Sequence, residues 1–323
     1  MRRRRAERRT PGRHRAGPPP AGRTARAGTA VITVPASLDE PQFEQVIDQL
    51  TAVPPDAKLL VDARHCRFAT PYGLTGLLCL AQSRAERPDF APPEDDDVRS
   101  YWARSQFFTH ADGLYTLRGS VPRRQGGNSD VLLEVTPVRD NGDVRGAVAR
   151  IQEQAAHILT RTLDLEPRAT MLFSMTLSEA ASNVIDHAGG GGWVMVQRYD
   201  WSKRRVGREI VQITVADAGM GFRRSLEGSR ARAVADRWDD AIALEAGVVQ
   251  GVSRFGEPGR GQGLRGIRGY ASKVDGKLTV RSGTARIAPI IPPWDDDRAL
   301  RSGLAPFPGA QMNLVIPRRL AAP

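Results

Sequence analysis

The sequence is poor in cysteine and has no long apolar run. Among 323 residues there are two cysteines, Cys66 and Cys79, which lie in apolar surroundings without CxxC spacing or a cysteine–histidine cluster. This pattern argues against a disulfide framework and a thiolate metal site, and it predicts reduced core residues in a cytoplasmic protein. A membrane-spanning helix needs about 20 consecutive apolar residues. No stretch approaches that length, so we expect a protein without a membrane span.

Positive charge is concentrated at the N-terminus. The chain has 47 Lys and Arg against 36 Asp and Glu, a formal net charge of +11. Residues 1–28 contain ten arginines and one glutamate, so they contribute +9 and leave +2 for the rest of the chain. They lack the apolar middle of a secretory signal and are too poor in apolar residues to fold alone. We therefore expect a disordered arginine-rich tail without a binding role. The alternative is an arm for nucleic acid or anionic lipid.

The order of apolar segments predicts two α/β units. The first unit, residues 29–118, alternates strand and helix. Its predicted elements are a strand at Ala30–Pro35, a helix at Pro41–Leu50, a strand at Lys58–Asp62 and a helix at Gly73–Arg84. Residues 119–130 are rich in glycine and arginine and are predicted to form a linker. The second unit, residues 131–323, contains three segments with candidate functional residues.

The first of these segments is a predicted helix, Met171–Ala188. Its apolar residues recur at steps of three and four and form one stripe. Glu179 and Asn183 are four residues apart, so they share a different face of the helix. A glutamate and an asparagine on one face are common on solvated helices, and alone they do not indicate a site.

The second segment, Glu209–Phe222, is a β-rich run that ends at Asp217 and continues with Gly219 and Gly221. Glycines let the backbone approach a ligand closely, and a carboxylate beside them can accept a hydrogen bond from an exocyclic amine. A plain turn that begins with an aspartate has the same pattern. Both interpretations stay open for this segment taken alone.

The third segment, Gly259–Ala271, places glycines before a predicted helix, where backbone N–H groups and the positive helix end can hold phosphate oxygens. Gly261, Gly263 and Gly266 also spell the dinucleotide fingerprint GxGxxG. That fingerprint should follow a strand and precede an acidic residue by about 20 positions. Neither condition is met, which argues against a nicotinamide enzyme.

The three segments follow one another in a recognisable order: ExxxN on a helix, DxGxG after a strand, and GxGL at the start of a helix. In this order they resemble the N, G1 and G2 boxes of the GHKL superfamily. This superfamily comprises the ATP-binding domains of gyrase, histidine kinases and MutL. The resemblance covers roughly residues 144–317. It implies an α/β fold, a GHKL-type sandwich in which a mixed sheet carries helices on one face. It also implies ATP and Mg²⁺ as cofactors.

The resemblance implies roles for individual residues. Asn183 would coordinate the magnesium ion that bridges the phosphates. Glu179 would position or deprotonate the attacking water or hydroxyl, a role that suits a carboxylate within hydrogen-bond reach. Asp217 would accept from the adenine amine. The other implied nucleotide-binding residues are Gly219, Gly221, Gly261, Gly263 and Leu264. Residues 222–259 would form a flexible lid.

Two features depart from the superfamily pattern. A GT pair often stands on the last strand, where the threonine helps to hold adenine. Here the matching pair is Gly309–Ala310, which lacks that hydroxyl and implies a modest affinity. Residues 286–308 are also expected to form an unusually long, proline-rich loop before that strand.

Among GHKL proteins, the chain most resembles the anti-sigma serine kinases. His157 lacks the phosphoacceptor context of a sensor kinase, and the chain is too short for the further domains of gyrase or MutL. The resemblance implies an ATP-binding regulator with ATPase or serine/threonine-kinase-like activity, a regulatory protein as partner and possible homodimerisation. The rival interpretation is a non-catalytic module in which nucleotide binding alone changes partner affinity.

The stretch LLVDARHCRFATPYGLTGLLCLA of the first unit resembles the core of a STAS domain, the fold of anti-sigma-factor antagonists. In that family a serine at the start of a helix accepts phosphate. The aligned residue here is Pro71, which has no hydroxyl, while Thr70 and Tyr72 flank it. We expect this degenerate unit to be a fixed docking surface, and phosphorylation of Thr70 is the alternative. A generic strand–turn–helix has the same pattern.

Overall fold

The computed structural model describes residues 28–122, 132–139, 178, 191–253 and 262–318. The predicted tail, except Gly28, and most of the predicted linker lie outside these residues. The structure is a mixed α/β arrangement with one parallel and one antiparallel main sheet. Among the described residues no helix is long and apolar enough to cross a membrane.

The first unit is built on a four-stranded parallel sheet with the order β1–β3–β5–β6. The strands of the unit are β1 (Ala30–Thr33), β2 (Ser37–Leu38), β3 (Leu59–Asp62), β4 (Phe68–Ala69), β5 (Asp89–Ala91) and β6 (Thr116–Leu117). Its helices are α1 (Glu40–Leu50), α2 (Pro71–Gln82), α3 (Asp96–Arg104) and α4 (Phe107–Leu114). The strands and helices predicted for residues 30–84 are confirmed, with ends shifted by at most two residues.

Local sequence explains how α1 begins. The side chain of Asp39 accepts a hydrogen bond from the backbone N–H of Gln42, and a proline stands in the first turn, where its missing N–H costs nothing. Phe43, Val46 and Ile47 then face the core at helical spacing. The first turn also carries Glu40, which is buried although it is charged.

The second unit is built on a five-stranded sheet with the order β10–β11–β9–β8–β7. Its strands are β7 (Leu132–Val138), β8 (Gly192–Trp201), β9 (Arg208–Asp217), β10 (Lys277–Ile290) and β11 (Leu300–Pro317). Each described pairing is antiparallel, so these strands do not form the expected mixed sheet. Two of the four pairings follow from local connections, because a hairpin at 202–207 joins β8 to β9 and one at 291–299 joins β10 to β11, and a short hairpin reverses the chain.

The expected proline-rich loop at 286–308 is wrong. β10 continues to Ile290 and β11 begins at Leu300, so only residues 291–299 connect them. The prolines are tolerated because the pairing between β10 and β11 is bulged twice, between Ser282 and Gly283 and between Gly283 and Ala285. A bulge leaves backbone groups outside the ladder, and a residue without an N–H is acceptable there.

The residues between β9 and β10 are largely helical. They form α5 (Gly221–Ser225), α6 (Arg230–Val234), α7 (Asp240–Leu244), a π-helix (Glu245–Gln250) and α8 (Gln262–Lys273). Buried Leu226, Trp238, Ala243 and Ala246 form a small core of their own. The segment interpreted as a lid is therefore folded over its described part, residues 222–253.

Helix α2 lies between the two sheets. All residues from Pro71 to Ala81 are buried, and the helix packs against β8, β9 and β11 of the second unit. Leu74, Leu77 and Leu78 are fully buried in a core that also contains Trp193 and Phe307. Burial of each such side chain is worth about 1.5–3 kcal/mol. The two units thus share one continuous core, which explains why this helix is apolar on every side.

Cys66 and Cys79 are buried free thiols of this core, as predicted.

Candidate functional site

Asp217 is the last residue of β9 and lies between two neighbouring strands. It pairs with Gly192 of β8 and with Ala310 of β11. The side chain is 7% exposed, and Oδ1 accepts a hydrogen bond of 2.8 Å from the backbone N–H of Gly219. Burial raises the pKa of this carboxyl to about 6, although backbone N–H groups of Gly219 and Ala310 oppose the rise.

The carboxylate of Asp217 has no cation against it among the described residues. The groups that lower its pKa are backbone amides, those of Gly219 and Ala310. A buried carboxylate without a cation is costly, and such groups concentrate at functional sites. The hydrogen bond to Gly219 is also the turn geometry that a purely structural aspartate would make, so the burial is the more informative observation.

Gly309 gives Asp217 its space. Its φ is +79°, and a Cβ built on it would lie 2.2 Å from the backbone oxygen of Asp217 and 2.6 Å from Oδ1. The pair Gly309–Ala310, which lacks the threonine hydroxyl, therefore lies beside Asp217 in the adjacent strand. Any residue other than glycine at 309 would displace the loop that begins at Asp217.

Gly219 and Gly221 belong to the same loop. Gly219 donates its N–H to Asp217, and Gly221 has a φ of +68° at the start of α5. A Cβ on Gly221 would lie 2.7 Å from Oγ of Ser282 and 3.0 Å from the backbone oxygen of Gly309. Packing against β10 and β11 thus requires a glycine at 221 independently of any ligand.

Residues Gly263 and Leu264 lie in the first turn of α8, whereas Gly261 lies outside the described residues. Leu264 is partly buried against the apolar cluster that contains Ile213 and Ile267, so its side chain has a packing role. Arg265 and Arg268 of the same helix donate to backbone oxygens at the end of the π-helix, with a contact of 2.8 Å from Arg268 to Val249. Cations at a helix C-terminus stabilise it.

Glu179 and Asn183 lie outside the described residues, as does nearly all of the predicted helix Met171–Ala188. The placement of the predicted catalytic and magnesium-binding side chains relative to Asp217 therefore stays a prediction. Among the residues that the structure does describe, no group of three His, Cys, Asp or Glu side chains could hold a metal ion.

A cavity of about 360 Å³ opens beside the Asp217 loop, and sequence reasoning missed it. Its lining includes Gly221, Arg223, Arg224, Ser282 and Phe307. Both arginines are exposed, and neither forms an ion pair with another described residue. The available sequence signal was the pair of arginines two and three positions after the last glycine of DxGxG, which adds positive charge beside this loop.

Buried ion pairs join the two units, and no sequence pattern predicted them. Arg286 of β10 donates to Glu40 of α1 at 2.7 Å, and Arg281 donates to both carboxylate oxygens of Glu44 at 2.9 and 3.2 Å. Burial tends to raise the pKa of Glu40, but Arg286 and Lys277 outweigh this effect and hold it below its usual value. These partners are more than 230 residues apart in sequence.

The start of α2, where a STAS domain would carry its phosphoacceptor, is covered by β11. Gln311 of β11 donates to the backbone oxygen of Tyr72 at 2.7 Å. Thr70 is fully buried and its hydroxyl donates to the backbone oxygen of Leu38 at 3.3 Å. Pro71 occupies the first position of the helix. A kinase could reach the Thr70 hydroxyl only after the start of α2 had become exposed to solvent.

Comparison with known proteins adds no assignment: no family model, curated protein or solved structure matches this chain.

Proposed function

We propose that the second unit binds magnesium-ATP and that the chain is a cytoplasmic regulator of the anti-sigma serine kinase type, acting on a regulatory protein partner. The proposal rests on the ordered GHKL-like motifs and on one structural observation. That observation is the buried Asp217 carboxylate, which has no cation against it among the described residues and lies in a loop of tightly packed glycines. The family-level roles of Glu179 in phosphoryl transfer and Asn183 in magnesium binding are part of the proposal.

The chemistry of Asp217 suits recognition of an adenine amine. An ionised carboxylate offers only acceptors, and the adenine amine is a donor. A hydrogen bond to a charged acceptor contributes about 1.5–3 kcal/mol, more than a neutral one. ATP supplies its own phosphates as magnesium ligands, and Mg²⁺ usually takes one or two protein ligands in addition to phosphates and waters. The single amide oxygen of Asn183 is compatible with that pattern.

A non-catalytic, nucleotide-gated binding module is the rival proposal. The buried start of α2 favours it over a kinase that phosphorylates its own first unit, because Thr70 is inaccessible and Pro71 has no hydroxyl. A kinase or ATPase that acts on a separate partner is equally compatible with the same observation. Turnover, rather than binding, separates these functions.

Calorimetric titration of magnesium-ATP into Asp217→Asn tests the proposal. The substitution removes a charged acceptor and should weaken binding roughly tenfold or more. Asp200→Asn is the matched control, because Asp200 also accepts a hydrogen bond from a backbone N–H two residues later, at 3.0 Å, but in an exposed turn. ATP affinity that is unchanged in folded Asp217→Asn, or reduced equally in both variants, would reject adenine recognition by Asp217.

A further inference from the structure

The bulged region of β10 and β11 holds the Asp217 loop from one side. Ser282 donates its hydroxyl to the backbone oxygen of Gly309 at 2.8 Å and accepts from the backbone N–H of Phe222 at 3.1 Å. Thr284 donates both its N–H and its hydroxyl to Asp240 of α7, at 2.9 and 2.7 Å. The position of the loop and of the helices after it therefore depends on the shape of the bulges.

A single buried side chain contacts three backbone oxygens of the bulged region. Arg281 is 1% exposed, and its guanidinium donates to the backbone oxygens of Gly283, Ala285 and Ala305, which lie in the bulged region. Its remaining donors bind both carboxylate oxygens of Glu44. A guanidinium has five N–H donors in a rigid plane, and here all five have acceptors. A lysine could not reach these acceptors together.

The charge of Arg281 is balanced from the other unit. Glu44 belongs to α1, and its carboxylate is the sole anionic group within hydrogen-bond distance of the guanidinium among the described residues. Removing one partner of a buried ion pair leaves an uncompensated charge and is strongly destabilising. In the structure, the bulges have this conformation with α1 docked on the face of the sheet that carries Asn313.

We propose that Arg281 is a positioning residue through which the first unit controls the predicted nucleotide loop. Docking of α1 supplies Glu44, Glu44 orients Arg281, and Arg281 arranges the bulges that hold residues 219–226. Nucleotide affinity and docking of the first unit are then coupled, and such coupling is reciprocal. The link to nucleotide rests on the proposed function, whereas the link to loop order does not.

Hydrogen exchange of the full-length protein tests the proposal without nucleotide. In Glu44→Gln, the amides of residues 219–226 should exchange at least about tenfold faster than in the wild type, since a local loss of order raises exchange. Glu40→Gln is the matched control: it breaks the other buried ion pair between the units, with Arg286, but contacts none of the bulge oxygens. It should change exchange in 219–226 by less than about twofold. Equal effects of the two variants, or no effect of Glu44→Gln, would overturn the proposal.

Arg281→Lys provides a second variant in case Glu44→Gln does not fold. It retains a positive charge beside Glu44 but loses most donors to the bulge, so the same loop amides should exchange faster. Magnesium-ATP affinity should fall roughly 5- to 150-fold in both variants, the usual range of coupling between sites. A wild-type protein that does not bind ATP would reject the proposed function, and the exchange comparison would still decide whether Arg281 orders the loop.

Discussion

The missing side chain of Gly309 creates the space that Asp217 occupies. The two residues lie on adjacent strands, and a Cβ on Gly309 would approach the backbone oxygen of Asp217 to 2.2 Å. Backbone atoms of a paired strand cannot move away cheaply. The position of Asp217 therefore depends on a glycine that stands 92 positions later in the chain.

Gly309→Ala should destabilise the protein by more than a positive φ alone explains. A left-handed conformation costs a non-glycine residue about 1–2 kcal/mol, and the clash with Asp217 adds to that cost. Gly303→Ala is the control, because Gly303 has a φ of +71° with open space around it. Urea unfolding of both variants measures the difference. Equal losses of unfolding free energy would contradict the close approach of Gly309 and Asp217.

Asp217 should make stability depend on pH between about 4 and 6. The folded pKa is about 6 against an ordinary value of 3.8. Between these values the unfolded carboxyl has lost its proton while the folded one retains it, so a rise in pH favours the unfolded state. The free energy of unfolding should fall by roughly 3 kcal/mol over this window and stay lower above it.

Urea titrations at several pH values check this dependence. Asp217→Asn should abolish the fall and should be more stable than the wild type at pH 7, while it binds ATP more weakly. Stability gained together with affinity lost is expected when a residue is retained for binding. A variant that is less stable than the wild type at pH 7 would indicate that the turn, rather than a ligand, requires the carboxylate.

Glu179→Ala and Asn183→Ala should separate chemistry from binding. Loss of a general base usually slows a reaction by about 10²–10⁴, so Glu179→Ala should reduce phosphate release or transfer by that factor and leave ATP affinity within a few-fold. Asn183→Ala should weaken the magnesium-dependent part of binding. Single-turnover assays and calorimetry with and without Mg²⁺ measure these effects. A wild type without turnover would favour the non-catalytic module.

Thr70 should not acquire phosphate when the folded protein is incubated with magnesium-ATP. Its hydroxyl is buried, and an in-line transfer needs an oxygen about 3–3.5 Å from phosphorus. Peptide mass spectrometry checks the prediction. Stoichiometric phosphate on Thr70 that is absent in Glu179→Ala would show instead that the start of α2 becomes exposed and that the chain phosphorylates itself.

Local sequence was sufficient to predict individual elements. The apolar spacing of residues 43–50 predicted α1, and the β-rich run ending at Asp217 predicted β9, because periodicity records which side of an element is buried. The loop expected at 286–308 is wrong because prolines do not break a strand where the pairing is bulged. Bulged pairing left them outside the ladder, and bulges depend on the partner strand.

The burial of one polar face of the five-stranded sheet could not be predicted from the sequence. Alternation along β9 and β11 places Gln212, Thr214 and Asn313 on one side, and this pattern is typical of a solvent-facing surface. In the structure all three are buried, because α1 brings Glu40 to Asn313 at 2.8 Å. Periodicity reports polarity, whereas the burial of that polarity depends on which distant element carries the complementary groups.

The sequence by itself determined the first two helices, the strands at residues 30–33 and 59–62, the strand that ends at Asp217, and the order of the three motifs, since each depends on residues within a few positions of one another. The tertiary structure alone decided that α2 lies between the sheets, that Gly309 stands against Asp217, and that Arg281 bridges three backbone oxygens and Glu44. The contact of Gly309 with Asp217 joins residues 92 positions apart, and the contact of Arg281 with Glu44 joins residues 237 positions apart. Their energies come from packing and desolvation at contacts that exist only after the chain has folded.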